Sequence, residues 1–354
     1  MVRSRSFGAL AAALLCASCS RGSAPPSPEG AEARAAQDAE GVVDARVDAR
    51  ADAGLSPDAG AATDARAHER QACPQDMVHV ATSFCPDVER RCLDMEHEEK
   101  NNLPICHAFA QPTRCRGAER PVDFCIDRYE YPNQKGAHPV WMLDAYQAQA
   151  TCESKGKRLC MATEWTAACE GPEHTPFPYG WERDHDSCNM DNFYIDPRKP
   201  GPKAQFFFYS KDPAVAFKEL SRLDESVPSG SMESCKSGFG VYDMPGNVDE
   251  WTVNDGPPHE KSQWAALKGG AWGHVRSQCR PTTYSHEPEF YYYFVGLRCC
   301  QDAEGAPPEA RVRPSADAIA APPVEPHDFA PDPIVPIDAP GPTRTKFSRT
   351  GHRE

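Results

Sequence analysis

The stretch GFGVYDMPGNVDEW, Gly238–Trp251, packs three glycines, a proline and an asparagine into one short segment. Gly238, Gly240 and Gly246 suit tight turns and close backbone approach, where a Cβ would intrude. Phe239–Met244 is expected to be a strand, set off by Pro245, Gly246 and Asn247. Trp251 is expected to be a core anchor. Glu250 and Asn247 sit in the same turn and admit two readings. They tie the loop down by hydrogen bonds, or Glu250 joins backbone oxygens as a hard-ion ligand.

Working outward, LKGGAWGHVRSQCR, Leu267–Arg280, predicts a strand over Leu267–Trp272 whose Gly269-Gly270 passes closely under a neighbour. Leu143–Lys155 predicts a helix capped by Asp144 and stopped by Gly156, with Ala145, Ala148 and Cys152 on one face. Thr163 is expected to cap a second short helix, TEWTAAC, that Gly171 ends. Met77–Thr82 and Phe124–Tyr131 predict strands. Residues 85–118 read as a cysteine-rich insertion stapled by disulfides. The sum is α+β, with few helices, short strands and long loops.

The 354 residues do not form one folded unit from end to end. Residues 20–70 are rich in Ala, Asp and Pro with almost no large apolar side chains, and residues 302–354 are again Pro- and Ala-rich. Neither stretch carries enough apolar surface to offset the entropy of ordering, so they are expected to be a disordered tether and tail. The folded domain is expected over 71–301. Residues 1–19 read as a signal peptide: Arg3 and Arg5 precede an apolar run too short to span a bilayer. Cys19 follows small residues and matches a bacterial lipidation site, apart from Cys16 where Leu is usual. Lipid on Cys19 followed by a polar tether would hold an exported protein at the periplasmic or outer membrane.

Cysteine usage fits export. Setting aside Cys16 and Cys19 leaves 14 of the 16 cysteines in the folded part, an even, high number that favours disulfides over a metal cluster. A formal net charge of −14 disfavours nucleic acid as a partner.

Several motifs, in order, resemble the formylglycine-generating enzymes (sulfatase-modifying factors). Gly156-Lys157-Arg158-Leu159 with Thr163-Glu164-Trp165 is similar to GKRLPTEAEW, and Tyr179-Gly180-Trp181 with Cys188-Asn189 to PWG…AN. Gly238–Trp251 is similar to NGFGLYDMAGNVWEW, Lys268–Trp272 to KGGSW, and Gly296–Cys299 to GFRC. The resemblance implies that family's C-type-lectin-like fold, rich in disulfides. It implies a Cys152–Cys299 bridge. It leaves Cys169 without its family partner, whose place is Tyr284, and makes Cys279 a candidate instead. It implies calcium at Glu250 with Gly246 and Val248, and at Asn189 with Met190. In the family two cysteines hold Cu(I), because soft thiolates suit that ion. Here those positions are His274 and Cys279, the family serine is Ala271, and the family Trp before the Glu is Asp249. Two functions are therefore expected as alternatives. One is a non-catalytic, monomeric module that binds a cell-envelope protein or glycan. The other is a copper-dependent oxidase acting on cysteine of exported sulfatase-like proteins through His274 and Cys279. Arg298 is expected to pair with an acid inside the fold.

Overall fold

The computed structural model describes residues 72–98, 103–274 and 276–313. Cys19, the signal peptide, the tether and the tail beyond Arg313 lie outside the described residues. The first half runs β1 (Met77–Phe84), β2 (Val88–Glu89), β3 (Cys92–Glu98), β4 (Leu103–Phe109), β5 (Arg114–Cys115), β6 (Arg120–Asp127), α1 (Ala145–Ser154), β7 (Arg158–Leu159) and α2 (Ala162–Glu170). The second half adds α3 (Pro213–Leu223), β8 (Asp249–Val253), β9 (Ala265–Lys268), β10 (Thr282–Thr283), β11 (Val295–Leu297) and β12 (Cys299–Asp302).

Two four-stranded sheets organise these pieces, in the orders β1-β6-β12-β7 and β10-β9-β8-β11. Val80, Phe124 and Ile126 of the first sheet pack with Trp165 of α2. Leu143 and α1 pack with Trp251, Leu267 and Val295 of the second sheet. A third core gathers Trp141, Phe208, Leu220, Leu223, Trp272 and Tyr293. The cysteine-rich insertion holds two two-stranded sheets, β2-β5 and, between them in sequence, the β3-β4 hairpin, stapled by Cys85–Cys115 and Cys92–Cys106.

Local chemistry explains the helices. The Asp144 carboxylate accepts from Gln147 N at 2.8 Å while Gln147 Oε1 accepts from Asp144 N, a reciprocal cap that starts α1. Helix α2 begins one residue before Thr163, which is therefore not its cap. Glu164 turns back to accept from Met161 N, and Asp255 from a distant loop accepts from Thr163 N. Helix α3 was not expected, although Asp212 caps it, Pro213 opens it, and Ala216, Glu219, Leu220 and Leu223 fall on its buried face.

Three strand expectations shift. Phe239–Met244 is irregular, because Gly240 and Asp243 take left-handed backbone, and Gly246 and Asn247 do so just after. The strand forms one motif later, as β8. The Leu267–Trp272 strand stops at Lys268, where Gly269 and Gly270 turn left-handed. The Phe124–Tyr131 strand ends at Asp127, since Glu130 turns into the interior. The folded chain also continues past the expected Gln301 boundary. Ala303, Ala306, Ala310 and Val312 are buried, and alanines 303 and 306 pack on the Cys73–Cys125 bridge. Small apolar side chains against a disulfide anchor a stretch whose composition resembles a tail.

Candidate functional site

Two close backbone approaches build the site. A Cβ on Gly269 would lie 2.4 Å from the Met244 carbonyl oxygen, and one on Gly246 would lie 2.3 Å from the Asn189 carbonyl oxygen. Only glycine permits these contacts at positive φ. They let Gly246 N donate to Gly269 O at 3.2 Å and Trp272 N to Asn247 O at 3.2 Å. The GFGVYDMPGNVDEW and LKGGAWGHVRSQCR turns are thereby laid against each other.

Asp249 and His274 meet where they join. His274 Nδ1 lies 3.9 Å from Asp249 Oδ2, and Asp249 Oδ1 accepts from Gly270 N at 3.2 Å. The Ala271 amide donates to His274 Nδ1 at 3.1 Å, so a neutral ring carries its proton on Nε2. Burial first, then Arg276 and His286, push the His274 pKa down to about 4. Burial also pushes the Asp249 carboxyl up to about 7, with the Glu250 charge adding to the rise. The His274 side chain keeps 31% of its surface exposed and meets Phe294 edge-on at 4.7 Å.

Cys279 is not available as a thiolate. It is joined to Cys169 at the end of α2, with S–S 2.03 Å, and is fully buried. Its surroundings fix it further. Cys279 N donates to Pro176 O, the buried Lys268 Nζ donates to Cys279 O at 2.9 Å, and neighbouring Arg280 pairs with Glu170 at 2.5 Å. The His274/Cys279 pair expected to hold copper is thus a neutral imidazole and a disulfide sulfur. That donor set does not fit Cu(I), which needs soft anionic sulfur.

The calcium expectation meets a similar obstacle. Glu250 is fully buried. Its Oε2 accepts from Trp165 Nε1 and Arg298 Nε, both at 2.7 Å, and its Oε1 accepts from Arg298 Nη2 at 2.7 Å. Asn189 is also saturated: its amide donates to Glu225 O and Asn247 Oδ1, its Oδ1 accepts from Asn192, and its carbonyl accepts from Asn247 N. Met190 is buried beside it, and the Gly246–Val248 backbone is held by the turn and by Glu130, which accepts from Val248 N. A guanidinium and an indole thus occupy the carboxylate that the ion would need, and the set does not fit calcium. Among the described residues, no group of three His, Cys, Asp or Glu is arranged to hold a metal.

The sulfatase-modifying factor enzyme 1-like domain matches residues 107–303, more than half of the chain. The chain belongs to this family. It is 27% identical over 182 residues to the Bos taurus protein named inactive C-alpha-formylglycine-generating enzyme 2, covering 49% of this chain and 54% of that one. It is 27% identical over 178 residues to the Mus musculus protein of that name, covering 48% and 51%. The chain spans about half the length of these relatives. Among solved structures, CarF is 16% identical, with 65% of this chain and 98% of that one covered and a TM-score of 0.37. PvdO from Pseudomonas aeruginosa is 17% identical, covering 63% and 94% with a TM-score of 0.33.

Within the sulfatase-modifying factor family fold, this site replaces soft, reactive groups by bridged or neutral ones. Ala271 is fully buried and leaves no hydroxyl beside the loop. Cys152 and Cys299 are joined, and Cys160–Cys300 runs beside them. Cys188–Cys235 completes seven bridges among the described residues, which calls for an oxidising, non-cytoplasmic setting. Sequence reasoning flagged Asp249 as an added carboxylate without placing it against His274. Lys268 stands in the KGGAW motif with no role assigned to it from sequence. This amine, pushed down to about 7 by burial, lies over the Trp165 ring at 5.2 Å and donates to the Arg280 carbonyl at 2.9 Å. Its only sequence signal is its place before Gly269-Gly270.

A raised carboxyl gives a pH signature. The native state holds the Asp249 proton more tightly than the unfolded chain, so the associated stability is full below about 4. It is lost as pH rises through about 7. Asp249→Asn is expected to leave stability at pH 4 unchanged and to raise it at pH 8 by about 2–3 kcal/mol. Urea melts of both proteins at the two pH values check this. Equal effects at pH 4 and pH 8 would remove Asp249 as the titrating group.

Proposed function

We propose that the chain is an exported, non-catalytic binding module of the formylglycine-generating-enzyme type, anchored to the membrane by lipid on Cys19. The Cys169–Cys279 bridge carries this reading, because it consumes the only cysteine at the family's thiol-pair positions. The neutral His274 and the apolar Ala271 support it, as does the word inactive in the names of the two mammalian relatives. The test is purified full-length protein with copper, reductant and a CxPxR peptide, read by mass spectrometry. No conversion of the peptide cysteine is expected, and formylglycine in the product would overturn the non-catalytic reading. The anchor has its own test. Cys19→Ala should move the protein from the membrane fraction to the soluble exported fraction, and retention in the membrane would refute lipidation there.

A further inference from the structure

The surface around His274 is a run of touching rings. His274 meets Phe294 edge-on at 4.7 Å, and Phe294 meets Tyr292 at 4.9 Å. Tyr292 and Phe290 stack with planes 15° apart, and Phe290 and His286 stack at 3.7 Å with planes 13° apart. Phe206 joins from another segment, edge-on to Tyr292 at 6.4 Å, with Lys199 Nζ 5.4 Å from its ring centre. The rings from His286 to Phe294 are half-buried except Tyr293, so one side of this wall still reaches solvent.

Basic side chains gather along its edges. The chain carries −14 in all, yet residues 197–211 hold Arg198, Lys199, Lys203 and Lys211 and no Asp or Glu. All four are exposed, as are Lys261 and Arg276 at the other end of the wall. His274 and His286 both lie in the field of Arg276, and His286 also in that of Lys261. Acids stand among these cations: exposed Asp196 and Asp212 bound the basic segment, with Asp196 in the field of Tyr292, exposed Glu260 and Glu287 neighbour Lys261 and His286, and Glu289 accepts from the Tyr146 hydroxyl.

Flat rings beside cations suit a ligand with apolar ring faces and fixed negative charge. Sugar rings offer C–H faces to stacked aromatics, and uronate carboxylates accept charge-assisted hydrogen bonds from Lys and Arg. We infer that the ring wall from His274 to His286, with Lys199, Lys261 and Arg276 on its edges, binds an acidic polysaccharide. The inference rests on reading the domain as a binding module, and it names that module's ligand class. A nucleic acid also combines rings with charge, but it draws its affinity from a longer basic footprint than this patch offers. The seven disulfides also put the domain in the compartment where polysaccharides are displayed.

The test uses the full-length protein and four probes of matched length: oligogalacturonate, neutral dextran, polyglutamate and oligothymidylate. Binding is expected to oligogalacturonate alone, weakening as salt rises. Lys199→Glu with Arg276→Glu should weaken it about tenfold. Phe290→Ala should weaken it about threefold to tenfold, with disulfide content and near-UV dichroism unchanged. Equal binding to dextran would remove the charge argument, and equal binding to polyglutamate would remove the rings. Tighter binding to oligothymidylate, no binding to oligogalacturonate, or indifference to the exposed charge reversals would each overturn the inference. None of these failures produces formylglycine, so they are separable from a failure of the non-catalytic reading.

Discussion

Arg298→Ala is expected to destabilise the domain by about 3–5 kcal/mol. Arg298 is completely buried, and both of its 2.7 Å bonds to Glu250 lie in the interior beside the Trp165 indole. Glu130 and Asp243 share this interior. Glu130 accepts from Ser229, Asn247 and Val248, and Asp243 accepts from Gly230 N. One guanidinium therefore faces three buried carboxyl groups. Burial raises Glu130 well above the usual carboxylate range, with Asp243 and Glu250 adding to the rise. Burial pushes Asp243 up to about 7. Both groups prefer their protons in the native state, so the stability they contribute is present in acid and falls as pH rises, for Asp243 through about 7. Removing Arg298 should sharpen that fall, and the deficit of the variant should be smaller at pH 5 than at pH 8. Urea unfolding at both pH values, with the disulfides oxidised, measures it. Arg298→Met with Glu250→Leu should recover part of the loss, since it removes the carboxylate bonded directly to Arg298, while Glu130 and Asp243 lose their cation and Trp165 Nε1 its acceptor. A double variant no more stable than Arg298→Ala would refute the pairing.

The sequence carried the fold through its motifs rather than through periodicity. Asp144, Gly156 and Gly171 mark helix ends by local chemistry, and those marks hold because the cap partners lie within a few residues. Phe239–Met244 misleads because its strand-like residues are interrupted by left-handed Gly240 and Asp243, and further left-handed positions at Gly246 and Asn247 follow at once. Helix α3 was legible in Asp212-Pro213 but lies in a stretch that the family motifs do not cover. The site was half legible. His274, Cys279 and Ala271 could be placed by resemblance, and Arg298 by its charge. The Cys169–Cys279 bridge, 110 residues apart, was legible only as a candidate that the resemblance raised, and Arg298 only as a cation expected to meet some buried acid. That this acid is Glu250, 48 residues away, and that the pairing saturates it, leaves no local trace.

Replacing both Cys169 and Cys279 with alanine is expected to lower stability by about 3–4 kcal/mol. The two cysteines are 110 residues apart in sequence, but the neighbouring Cys160–Cys300 bridge shortens the path. Going back from Cys169 to Cys160, across that bridge, and from Cys300 to Cys279 encloses about thirty residues. Loop entropy rises only with the logarithm of length, so this shortcut removes about 1 kcal/mol from the stabilisation of an isolated loop. The bridge also holds the loop that carries His274, together with the Lys268 and Arg280 contacts on either side of Cys279. Thermal or urea unfolding of the double variant, with the other six bridges verified by mass spectrometry, gives the number. The single variant Cys169→Ala is the sharper functional probe. It frees the Cys279 sulfur, but His274 remains a neutral imidazole whose Nδ1 already accepts from Ala271 N. A single thiolate with only a neutral imidazole at the other position should hold Cu(I) weakly and convert no CxPxR peptide. Formylglycine production by Cys169→Ala would mean that the site retains the family's chemistry and that the disulfide alone holds it off.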